Sequence, residues 1–122
     1  MGGRDVPRWL NEGLATYACG ELDTRQARFM VETAARTGRL LDLGVLEGLL
    51  GSSDARKDDP IGVEAAYFLA GSLMQHWIEK HGLDTVRATL LLMRDGSSID
   101  GAVHKAVQTS LRDLVDQWRE SL

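Results

Sequence analysis

Only three histidines occur in this sequence, His76, His81 and His104, and none stands before residue 76. A single cysteine, Cys19, allows no intramolecular disulfide and cannot by itself supply a multi-thiolate metal site. There are two prolines, and no stretch alternates apolar and polar residues for more than a few positions. That absence argues against a β architecture. Basic residues are in deficit, 14 Lys plus Arg against 18 Asp plus Glu, for a formal charge of −4. Nucleic-acid and anionic-membrane binders normally carry a basic stripe, so neither partner is expected. No apolar run approaches the roughly 18 residues of a membrane span. The opening MGGRDVPRWL also lacks the apolar core of a signal peptide. The expected setting is reduced and cytoplasmic, unless an upstream segment carries a signal.

What is present is an ordinary globular balance over 122 residues, 43% hydrophobic and 26% charged. It reads as a single helical domain spanning residues 1–122. Glycines fall mostly between helical patterns and punctuate them. A first helix is predicted from Pro7, stopping at Gly20. A second follows Asp23, with Gln26 as capping-box partner, carries Phe29, Met30, Ala34 and Ala35, and ends at Gly38. A short third covers residues 43–50, and the polar stretch SSDARKDD is predicted as a loop.

Asp59 and Pro60 then form a cap and first turn for the longest helix. Its apolar positions, Ala66, Leu69, Ala70, Leu73, Met74, Trp77 and Ile78, hold the i, i+3, i+4, i+7 spacing of a buried face. Gly82 closes it. Further helices are predicted after Asp84, Ser98 and Ser110. The expected fold is all-α, a compact bundle of about six or seven short-to-medium helices with one long central helix.

Helix one draws attention because of its second side. On a wheel of 100° per residue, Leu10, Leu14, Tyr17 and Ala18 share one face. Glu12 lies opposite, with Trp9, Gly13 and Thr16. A glutamate directed away from an apolar face is normally just solvated. Here a large apolar Trp9 shares its side, and Gly13 removes bulk beside the carboxylate, so that side is expected to meet something else.

The run Val6-Pro7-Arg8-Trp9-Leu10-Asn11-Glu12-Gly13-Leu14-Ala15-Thr16-Tyr17 resembles the P-x-W-L-x-E-G-x-A-x-Y signature of peptidase MA-like zinc metallopeptidases, the gluzincins. Later segments are similar to the same family in order: Glu64-Ala65-Ala66-Tyr67 with Ser72, the helix end His81-Gly82-Leu83, Arg94-Asp95-Gly96, and Ser110-Leu111 through Leu114 to Trp118. The resemblance implies that Glu12 is the third zinc ligand. It also implies that Tyr67, downstream of that ligand, donates a hydrogen bond to the transition-state oxyanion. The bland reading of Tyr67 is a helix-wall residue that packs its ring and exposes its hydroxyl.

The family's HExxH segment, source of two histidines and the general base, is missing from the residues before Glu12. A catalytic zinc needs three protein ligands and an open position. The chain alone is therefore expected to hold no cofactor, with zinc bound only if the missing half is present. The reading that follows is a non-catalytic or incomplete metallopeptidase-like helical domain. It would act through self-association or partner binding, as a homodimer or with the missing half, through the Trp9/Glu12 face. The alternative is a zinc-dependent metallopeptidase acting on peptide substrates, its HExxH half supplied by an N-terminal segment or another chain.

Other candidates read blandly. His76 and His81 are five apart, about 140° around a helix, whereas HExxH places its pair about 40° apart. Both are expected at the surface or rim, and His104 is expected to be structural. Cys19 is expected to be a small buried thiol. Residues 54–59 mix charge signs without the regular oxygen spacing of a calcium loop. No phosphate cradle and no GxSxG elbow is present.

Overall fold

Short polar side chains mark where most helices begin, and each closes a local hydrogen bond that the first turn would otherwise leave open. The computed structural model describes residues 6–38 and 41–122; the first five residues of the stretch read for a signal peptide lie outside them. Thr24 Oγ1 accepts from the Ala27 N–H, Asp42 Oδ1 from Val45, and Ser52 Oγ from Ala55. Asp59 Oδ1 accepts from Gly62 at 2.9 Å, Ser98 Oγ from Gly101 and Ser110 Oγ from Asp113. The helices of the described residues are α1 Arg8–Ala18, α2 Arg25–Thr37, α3 Leu43–Gly51, α4 Ser53–Asp58, α5 Pro60–His81, α6 Leu83–Arg94, α7 Ile99–Val107 and α8 Leu111–Ser121, and these caps open all of them but α1 and α6. A 3₁₀ turn, Glu21–Asp23, follows the left-handed Gly20.

The fold is all-α, and the described residues contain no strand. Seven of the eight helices follow the predicted pattern. The eighth is α4, which occupies the charged stretch expected to be a loop. Six residues without an apolar face give no periodic signal, yet Ser52 caps them, Asp54 sits in the first turn, and Arg56 and Lys57 sit in the last. That charge order suits the helix macrodipole. The α2 cap likewise falls on Thr24 rather than Asp23.

The chain divides into two compact units, one built on Arg8–Met74 and one on Gln75–Ser121. In the first, Leu10, Leu46, Leu50, Leu69, Leu73 and Met74 are fully buried. Each such side chain contributes roughly 1.5–3 kcal/mol of apolar burial. In the second, Trp77, Val86, Met93, Val103, Leu114 and Trp118 fill that role. The Trp77 indole N–H donates to Thr85 Oγ1 at 2.9 Å, and that hydroxyl donates to the Gly82 carbonyl at 2.7 Å, so the buried ring is satisfied. Gly82 itself has a φ of +88°, which a residue with a Cβ adopts only with strain.

Candidate functional site

Helix α1 is held at its start by a side chain from α3. Glu47 Oε2 accepts from the Arg8 N–H and Oε1 from the Trp9 N–H, both at 3.0 Å. Two open first-turn donors are thus closed by one carboxylate, at the helix end where negative charge is favoured.

The face of α1 that is buried differs from the one the wheel selected. Trp9, Leu10, Gly13 and Thr16 are buried, whereas Leu14 and Tyr17 are half-buried and Ala18 is exposed. The reason is close approach to α5. A Cβ on Gly13 would meet the Ala70 carbonyl oxygen and the Met74 side chain, and a Cβ on Gly71 would meet Thr16 and Leu22. The two glycines let one backbone settle against the other, which bulkier residues forbid. Trp9, expected to face a partner, is covered within the chain itself and only 4% exposed.

This contact sets the position of the two residues of interest. Glu12 stands just before Gly13, and Tyr67 stands one turn before Ala70 and Gly71. Both line one cleft of about 330 Å³, together with Ala15, Thr16, Cys19 and Glu21. Each is half-buried. The Tyr67 hydroxyl accepts a hydrogen bond from Arg56 Nη2 at 3.1 Å, which leaves its own proton for another acceptor. Arg56 belongs to α4, and reading that segment as a loop concealed its role; the Ser52 cap was the local signal for it. Thr16 donates to the Glu12 carbonyl at 2.9 Å and so turns its hydroxyl back onto the helix.

Cys19 departs from expectation, being exposed rather than buried: α1 ends at Ala18, and Cys19 lies in the turn that closes at the left-handed Gly20. His76 departs in the opposite sense. It lies on the inner side of α5, 8% exposed, next to Trp77. Burial, with the nearby Lys80 and His81, holds its imidazole below the usual histidine range, while Glu79 works weakly against them. His81 also buries its Nε2, and neither Nε2 has a partner among the described residues. His104 is exposed in the last turn of α7.

The family model described as Peptidase MA superfamily matches residues 1–122. The chain belongs to the Peptidase MA superfamily. No curated protein and no solved structure matches it. Zinc is the metal that a peptidase MA-like chain would imply, and the cleft can be tested for it. Its side-chain donors are two carboxylates and one thiol, Glu12, Glu21 and Cys19, with no imidazole. Among the described residues no group of three His, Cys, Asp or Glu side chains is placed to hold a metal ion. The donor set of the cleft therefore does not fit a three-ligand catalytic zinc among the described residues. Nor is any helix of the described residues long and apolar enough to cross a membrane.

Proposed function

We propose that this Peptidase MA chain is a metallopeptidase-related helical domain that is not hydrolytic by itself. Its working surface is the Glu12/Tyr67 cleft, where it joins a partner or another part of the same protein. The observation that carries this reading is the joint placement of Glu12 and Tyr67 on one open cleft that contains no histidine. The binding surface is the Glu12 side of α1 rather than Trp9, whose ring is already covered. An exposed thiol without an intramolecular partner suits a reducing, cytoplasmic setting.

A second reading, a zinc peptidase acting on peptides and completed by histidines from elsewhere, draws on the same juxtaposition. There Glu12 would be the third ligand, and Tyr67, with its oxygen already accepting from Arg56, would have its proton to donate.

Metal analysis and a peptidase assay, run on this chain alone and after addition of a segment bearing the HExxH histidines, separate the two. The 122-residue chain, purified without chelator and dialysed with zinc, is expected to retain no stoichiometric metal and to leave a mixed fluorogenic peptide pool intact. Stoichiometric zinc that is lost in Glu12→Ala, with peptide hydrolysis, arising only when that segment is added would favour the second reading; either one in this chain alone would overturn the first.

A further inference from the structure

A second cavity lies apart from the Glu12/Tyr67 cleft. It is a groove of about 340 Å³ between α2 and the first turn of α5, walled mainly by Phe29, Met30, Ala34, Ile61 and Ala65. The size is that of a small-ligand pocket. Phe29 and Ile61 are 63% and 71% exposed, an unusual state for large apolar side chains that flank the same groove.

One charged group gives the groove a chemical preference. Thr33 also lines it, but its Oγ1 is covered from solvent and offers the groove no polar contact. Among the described residues Asp59 is the one ionisable side chain lining the groove. Its Oδ1 is used by the Gly62 N–H, and a carboxylate retains further acceptor sites.

We propose that this groove binds a small organic amine with an apolar body. The body packs against Phe29, Ile61 and Ala65, and the ammonium pairs with Asp59. A carboxylate ligand would be repelled by Asp59, and a pure hydrocarbon would gain nothing from its charge. A second copy of the chain fits less well, because a stable interface buries about 800 Å² per partner and only two large exposed apolar side chains line the groove.

The test is a titration of the isotopically labelled full chain, followed through backbone amide resonances. The probes are phenethylamine, its neutral counterpart 2-phenylethanol and its anionic counterpart 3-phenylpropanoate. Phenethylamine is expected to give saturating shifts confined to residues 29–34 and 61–65, with a Kd about tenfold below that of the alcohol; the carboxylate is expected to give none. Asp59→Asn keeps a helix cap while removing the charge, and should abolish the advantage of amine over alcohol. Ile61→Ser, at a position 71% exposed, should weaken binding of both. The proposal is overturned by absence of saturating shifts up to about 10 mM amine, by equal binding of the three probes, or by an amine preference that survives in Asp59→Asn.

Discussion

A Cβ placed on Gly13 would lie 2.5 Å from the carbonyl oxygen of Ala70. Real Cβ atoms do not approach an oxygen so closely, so α1 and α5 sit together only because residue 13 has none. The neighbours of these two positions, Glu12 and Tyr67, owe their shared cleft to that contact.

Gly13→Ala should therefore destabilise the protein. Overpacking costs about 1–3 kcal/mol, against roughly 1 kcal/mol gained in helix propensity, and the obstacle here is backbone rather than a flexible side chain. Urea unfolding should show a lower midpoint with an unchanged slope. An unchanged or raised midpoint would mean that the two helices part at no cost.

The thiol of Cys19 should react stoichiometrically with an aromatic disulfide reagent under native conditions, since it is exposed and thiol reactivity follows access as well as thiolate fraction. Labelling that appears only after denaturation would contradict that exposure.

Acid should weaken the fold through His76. Its folded-state pKa lies below the unfolded value of about 6.5, so the unfolded chain binds the proton more readily. The stability present above about pH 6.5 is lost as the pH falls through the lowered folded value. His76→Gln should lose less stability than the parent between neutral pH and the onset of acid unfolding. Parallel pH profiles for the two proteins would exclude His76 as the source.

Removing the Glu47 carboxylate should cost stability on the scale of a lost helix cap, about 0.5–2 kcal/mol. Glu47→Ala is expected to raise amide exchange at Arg8 and Trp9 first, because those N–H groups lose their acceptors. Unchanged protection at both positions would show that solvent replaces the carboxylate without loss.

What could be read from sequence follows the range of the interaction involved. Asp59, Ser98 and Ser110 bond to backbone only three residues away, so their caps were visible in the order of residues. The buried spacing of Ala66 through Trp77 was visible for the same reason, being a property of one helix. The side of α1 that carries Trp9, Gly13 and Thr16 was expected to meet something, but what Gly13 and Thr16 meet, Ala70 and Gly71 more than fifty positions on, was not visible. Glu12 and Tyr67 were each singled out, and their meeting in one cleft needed that same contact. Arg56 escaped because a helix as short as α4 has no periodicity to detect, and its bond to Tyr67 is made only once α4 and α5 are both in place. Phe29, expected in an apolar helix face, stands exposed beside the groove.

The carboxylate of Glu47 also ties together two stretches that lie far apart along the chain. The amides it receives lie 39 and 38 positions earlier, so those two donors gain this acceptor only once α3 lies against the start of α1. A partner that drew the first turn of α1 away would have to break both of these bonds.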